Sequence, residues 1–137
     1  MNVPIALLAD YANVSSDGKL NVMGVFDRIW SSSFPAVHLQ MQLVLRLSVT
    51  AAERGQTKRI EIVLMDADGI VINRLNGEIA IPEDAPLQAA FNQIITIQTQ
   101  PFPHPGDYRF TILVNGEPKA DIPLRLEQIE SPSELDA

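Results

Sequence analysis

The sequence predicts an all-β protein, an antiparallel sandwich of about eight strands. Three observations carry this. Residues 38–50 alternate: Leu39, Met41, Leu43, Leu45, Leu47 and Val49 face one way, and His38, Gln40, Gln42, Arg46, Ser48 and Thr50 the other, with Val44 the sole exception. A helix would scatter those aliphatics around its circumference; a strand lines them on one face, each contributing roughly 1.5–3 kcal/mol on burial. Residues 106–129 alternate on both sides of Asn115-Gly116, the pattern of a hairpin with one buried face. Turn signals recur at short intervals elsewhere, and no segment sustains a helical period. An outward proline, Pro123, and uneven strand lengths favour a sandwich over a closed barrel.

Residues 4–14 read as the first strand, with Ile5, Leu7, Ala9 and Tyr11 on one face. Ser15-Ser16-Asp17-Gly18 turns the chain. Residues 19–30 follow as one strand, partly apolar on both faces, which predicts a central position or cover at one end; Gly24 inside it signals a bulge or a close backbone approach. Trp30 to Pro35 reads as a loop. The alternating strand 38–50 comes next, then a polar connection over 51–57. Residues 58–65 place Ile60, Ile62 and Leu64 inward, Asp66-Ala67-Asp68-Gly69 turns, and 70–74 return. Asn76-Gly77 either turns again or kinks a strand continuing through Ile79 and Ile81. Residues 82–90 form a crossing loop with room for one helical turn after Asp84. Residues 91–100 are a strand with Phe91, Ile95 and Ile97 inward and Gln98 and Gln100 exposed. Phe102-Pro103-His104-Pro105-Gly106 leads into the final hairpin.

Two rules compete over the register of that hairpin. A two-residue type I′ loop at Asn115-Gly116 would set Phe110 opposite Asp121. A three-residue loop over 114–116, with Gly116 left-handed in a G1 bulge, sets Phe110 opposite Ala120 and Tyr108 opposite Ile122. A one-residue slip turns a whole strand over, so the apolar pattern is expected to decide for the second. Pro123 then points outward and makes 118–127 an edge strand, or one interrupted at Pro123.

At 137 residues the chain is one domain on length, expected over 1–130 with an acidic flexible tail at 131–137. It can bury a core without staples, and 46% apolar residues exclude the disordered class. The absence of cysteine excludes disulfides and thiolate metal sites. Net charge is −7, and Glu127, Glu130, Glu134 and Asp136 near the C-terminus supply much of it. The bases are scattered, clustering only at Arg54, Lys58 and Arg59, so no basic face exists to neutralise phosphates and nucleic acid is not an expected partner. No apolar run approaches the ~20 residues of a membrane helix. Residues 1–10 lack the basic flank and the apolar length of a signal segment, so a cytoplasmic protein is the default expectation.

Pro105-Gly106-Asp107-Tyr108-Arg109-Phe110, followed by the Asn-Gly hairpin, resembles the last two strands of immunoglobulin-like modules in bacterial proteins. The resemblance implies an immunoglobulin-like sandwich without the cysteine pair, and a corner in which Tyr108 ties its strand to the preceding loop. More broadly, ALLADYANVSSDGKLNVMGVFDRIW, an alternating strand, MDADGIVI and PGDYRFTILVNG together resemble a family of small bacterial proteins of uncharacterised function. That resemblance implies a one-domain unit and supplies no chemistry.

Candidate sites are few. Asp66, Asp68 and Gly69 could open a calcium loop, but an EF-hand needs ligands where Ile70 and Gly77 stand, and Asp and Gly favour a plain turn for backbone reasons. His38 and His104 offer no zinc spacing; His104, between prolines, could be presented to a partner. Ser31, Ser32 and Ser33 lack a nucleophile elbow. No catalytic, metal or cofactor-binding residue is therefore expected. Trp30, Phe34 and Phe102 sit at predicted strand ends or in loops. With His104 they are the candidate partner or ligand contacts if they share an exposed patch, and a plug for one end of the sandwich if they do not. The expected function is a non-catalytic protein-interaction or self-assembly module, with Val44, Val63 and Met65 as outward apolar contacts. The alternatives are a small-ligand module stacking a carbohydrate on Trp30 or Tyr11, and a calcium-dependent binder.

Overall fold

Two ribbons bury their apolar faces against each other. The computed structural model describes residues 1–130; the acidic tail predicted at 131–137 lies outside the described residues. The strands are β1 (Asn2–Val14), β2 (Leu20–Phe26), β3 (Arg28–Ser31), β4 (Ala36–Ser48), β5 (Thr57–Asp66), β6 (Val71–Ala80), β7 (Ala90–Phe102), β8 (Gly106–Val114) and β9 (Glu117–Gln128). A 3-10 turn, Ala51–Glu53, lies between β4 and β5. One sheet has the order β2-β1-β4-β7 and the other β3-β9-β8-β5-β6. Neighbours are antiparallel throughout, except that β3 runs parallel to β9. Met41, Leu43, Leu45 and Leu47 of β4 meet Ile60, Ile62 and Leu64 of β5 and Phe110 and Ile112 of β8 in one core.

The strand order is immunoglobulin-like. With β1 as strand A, β4 as B, β5 as C, β6 as C′, β7 as E, β8 as F and β9 as G, the sheets read A-B-E with β2 added beside A, and G-F-C-C′ with β3 added beside G. In constant-type domains strand D lies beside E. Among the described residues no strand takes that place, so β7 pairs with β4 alone.

The final hairpin satisfies both competing rules. Val114 pairs with Glu117 across a two-residue turn, with Asn115 and Gly116 at φ 50° and 81°. A bulge follows between Ile112 and Leu113 and restores the phase, so Ile112 faces Ala120, Phe110 faces Ile122 and Tyr108 faces Leu124. The expected apolar face is therefore correct and the expected pairing is two residues out. Pro123 is exposed, on the half of β9 that is an edge; from Arg125 to Gln128 β3 covers it.

Several strands change face along their length. In β4 and β7, odd-numbered residues face the core up to Ile97, but Phe102, Gln100 and Ala36 are buried beyond it. The change falls at Thr99, whose φ is +54°. It turns Leu39 outward, 77% exposed, where burial was expected, and turns Gln100 inward, 2% exposed, where exposure was expected. Gln100 is tolerated because its amide accepts from Asn73 Nδ2 at 2.9 Å and donates to the Pro101 carbonyl. In β1 an irregularity between Asn2 and Ile5 puts Ala6 and Leu8 toward the core, the face opposite to that expected; Tyr11 is exposed.

Residues 19–30 are two strands, not one. Asp27 carries the chain from β2, an edge of the four-stranded sheet rather than a central strand, to β3 in the other sheet. Gly24 has φ +70°, and a Cβ there would meet Asp10 Oδ2 at 2.5 Å, so of the two expected features it serves a close approach; the β1–β2 register runs through it without a bulge. The far half of the β1–β2 hairpin lies across the outer face of its own sheet. Asn92 of β7 donates to the Gly18 carbonyl at 3.5 Å, and Leu20 and Val22 line a depression with Ile5, Leu7 and Arg46. Val44 is fully buried, and Val63 on the other sheet is 4% exposed. Neither is the outward contact expected of it; Met65 is half-buried. Gly77 lies within β6, which runs on through Ile79, and residues 82–89 turn without the expected helical turn.

Candidate functional site

Ionisable groups gather where β7 hands over to β8. Pro103 and Pro105 stiffen the loop, and β8 begins at Gly106, so Tyr108 points back under it. Tyr108 Oη donates to the His104 carbonyl at 2.6 Å and accepts from the His104 N–H at 3.3 Å. This is the tyrosine corner that the resemblance implied. The His104 and Tyr108 rings stack at 5.5 Å, and Phe102 meets Tyr108 edge-on at 5.1 Å.

Asp66, buried at the end of β5, joins the corner from the neighbouring strand. Its Oδ1 accepts the N–H groups of Asp68 and Ile70 at 2.9 Å, closing the 66–70 turn. Its Oδ2 lies 3.3 Å from His104 Nε2, and His104 Nδ1 lies 3.1 Å from the Pro105 carbonyl. The Ile70 amide, helped by His104, holds the Asp66 carboxyl below its usual range against the effect of burial. The Pro105 carbonyl and then Asp66 raise the His104 imidazole. Burial raises the Tyr108 phenol. Both ring nitrogens of His104 face acceptors, which suits an imidazolium. The chemistry of this arrangement is fastening: it holds the 102–108 loop against β5. The sequence pointed to Tyr108 through the resemblance; the Asp66–His104 pair, 38 residues apart, had no signal.

The carboxylate that could have opened a calcium loop is thus engaged on both oxygens by its own turn and by His104. Among the described residues no three His, Asp or Glu side chains converge as metal ligands.

The aromatic candidates part company. Phe102 is fully buried, turned inward by the phase change at Thr99, and is not a surface contact. Phe34 is partly buried against the core. Trp30 lies in β3 rather than in a loop, and is 48% exposed. His104 is half exposed at the corner. The three aromatics share no exposed patch.

Three features were not anticipated. Glu53, buried beside β5, accepts from Thr50 N and Oγ1, Lys58 Nζ and the Met1 amine. Burial pushes its carboxyl up, but the hydrogen bonds from the amine, Thr50 and Lys58 outweigh this and bring it down to about 2. His38 stacks obliquely on Phe26 at 5.8 Å with Nε2 buried and unbonded, and burial lowers its imidazole despite Asp10. Between β6 and β7 the sandwich opens into a slot of about 140 Å³, lined by Leu45, Ile60, Ile62, Leu75, Ile79 and Ile95.

A family model described as a family of unknown function (DUF6941) matches residues 4–127. The chain belongs to this family. Among the curated proteins none matches the sequence. Among solved structures, the chain is similar to an alkylpurine DNA glycosylase of Pseudomonas fluorescens bound to DNA containing an abasic site analog. The identity is 13% and the TM-score 0.48, over 89% of this chain and 31% of that one, so the DUF6941 chain spans about a third of the glycosylase. It is also similar to an immunoglobulin-like protein of Pseudomonas aeruginosa, at 12% identity and TM-score 0.46, over 92% of this chain and 95% of that one. The immunoglobulin-like assignment rests on the strand order. Among the described residues no helix is long and apolar enough to cross a membrane.

Proposed function

We propose that this DUF6941 protein is a non-catalytic module that binds other protein chains, copies of itself included. One observation carries the reading: both edges of the four-stranded sheet, β2 and β7, are strands without a charged residue, in a chain of net charge −7. Sheet edges are normally guarded by charges, prolines or bulges, because an unpaired strand is a template for another. The five-stranded sheet follows that rule. Its β6 edge carries Arg74 and Glu78, and the open half of β9 carries Lys119, Asp121 and Pro123. On β2, by contrast, Met23 and Val25 are 66% and 61% exposed. An unpaired, uncharged strand with accessible apolar side chains is the surface that strand addition uses. The corner at His104 supports the same reading, since its polar groups are engaged with one another. Light scattering and a pull-down with the immobilised protein test it: an oligomer or a specifically retained protein is expected, and a strict monomer that retains nothing defeats it.

A second reading, a small-ligand module of carbohydrate type, is favoured by the half-exposed rings of Trp30 and Tyr11. They stand on different sheets, so each would act singly. A tryptophan emission spectrum that shifts across a sugar panel would support it, and an unchanged spectrum would remove Trp30 as the platform.

A further inference from the structure

We infer that β7 is a self-pairing edge, and that two copies of the chain join antiparallel along Ala90–Gln98 about a two-fold axis to make one eight-stranded sheet. The inference rests on the reading of the chain as a binding module and names the partner. Four observations converge. First, β7 hydrogen-bonds to β4 along one side, and no strand among the described residues pairs with the other. Second, from Ala85 to Pro103 no ionisable side chain occurs, although the chain is a polyanion. Two copies repel wherever acids meet, and this stretch can lie against itself with no like charges opposed. Third, the pairing with β4 is regular from Ala90 to Gln98; the irregular Thr99 and Pro101 guard only the far end. Fourth, Ile95 and Gln93 of β7 line the slot between β6 and β7, so an apolar cavity runs beside the same edge.

Antiparallel pairing of a strand with itself is isologous and closes as a dimer. A register that sets odd residues against odd residues brings Ile95 and Ile97 of both copies onto the same inner face and continues the core across the axis. Pairing β7 of one copy with β2 of the next would instead be heterologous and would build an open chain.

Sedimentation of the full chain over a concentration series reads the outcome. The expected species is twice 15.1 kDa. Gln98→Lys, at an exposed position, places a lysine of the kind that guards natural edges at each end of the paired segment, over Ala90 of the other copy, and should weaken the dimer severalfold. Val25→Lys, on β2, should leave it intact. Circular dichroism and thermal melting confirm that each variant is folded, and Thr96→Glu provides an independent second disruption of β7. A dimer weakened by Gln98→Lys and Thr96→Glu and kept with Val25→Lys supports the proposal. A wild-type monomer at every concentration, or a dimer indifferent to both β7 variants, overturns it. Loss with Val25→Lys alone overturns it in favour of β2. A monomer that retains a different protein also overturns it, while leaving the binding-module reading standing.

Discussion

The five-stranded sheet ends on β6, with Arg74 and Glu78, and on β9, with Lys119 and Asp121 beside an outward proline before β3 covers the rest. The four-stranded sheet ends on β2 and β7, which carry no charge. Their inner faces are alike: Leu43 and Leu45 on one side and Phe110 and Ile112 on the other are all buried to 1% or less. The difference lies at the margins, and it teaches that one core pattern closes both sheets while their edges are free to differ in charge. The regularity of the two sheets differs too. The four-stranded sheet holds two residues of positive φ inside its strands, Gly24 and Thr99, the second where the buried face changes, while the five-stranded sheet has register irregularities at Leu64–Met65 and Ile112–Leu113.

The largest expected effects probe those two positions and have opposite signs. Gly24→Ala should destabilise by about 1–3 kcal/mol, because a side chain at φ +70° is strained and its Cβ would displace the Asp10 carboxylate. Thr99→Gly should stabilise by up to about 1 kcal/mol. Relief of a β-branched residue at φ +54° exceeds the entropy that glycine adds to the unfolded chain. Urea denaturation measures both; a loss of stability in Thr99→Gly would mean that no strain is held at Thr99. On the five-stranded sheet, Tyr108→Phe should cost about 1 kcal/mol, the net value of one hydrogen bond to the His104 carbonyl. The same titration with no loss would show the corner to be ornamental.

The two histidines separate the regions by pH. His38 is lowered in the folded state, so the unfolded chain binds its proton first; stability is full above 6.5 and falls as pH drops toward the folded value. His104 is raised, so its contribution is full below 6.5 and is lost as pH rises through the elevated folded value. Asp66 is lowered, so its contribution is full above 3.8 and is lost as pH falls through the depressed value. The corner is therefore strongest between 3.8 and 6.5. Melting temperature against pH should show the gap between the wild type and His104→Asn narrowing on the alkaline side, and His38→Leu should flatten the loss on acidification from pH 6.5. A gap for His104→Asn that is constant with pH would mean that neither the Pro105 carbonyl nor Asp66 raises the imidazole.

Much of the architecture was legible because alternation is a direct record of a half-buried ribbon. Met41 to Leu47, Ile60 to Leu64 and Phe110 to Ile112 face the core as their spacing says. What the sequence hid has physical reasons. Thr99 carries no residue-type signal for a left-handed backbone, so the reversal that buries Phe102 and Gln100 and exposes Leu39 is invisible in the string. In β1, Leu7 and Leu8 are equally apolar, and only pairing of Leu8 with Leu43 decides which is inside. The 19–30 stretch reads as one strand because the crossing at Asp27 takes a single residue. The Asp66–His104 contact joins segments whose proximity depends on β5 pairing with β8. The uncharged edge of β7, in contrast, stands in the sequence, but it gains meaning only once the strand order leaves that edge open.

The most direct measurement is amide hydrogen exchange on β7 and β6 over a hundredfold range of protein concentration. Exchange at Phe91–Gln98 should slow as concentration rises while β6 stays constant, since self-association covers one edge and spares the other. Concentration-independent exchange in both strands, or protection that grows on β6 instead, would contradict the account.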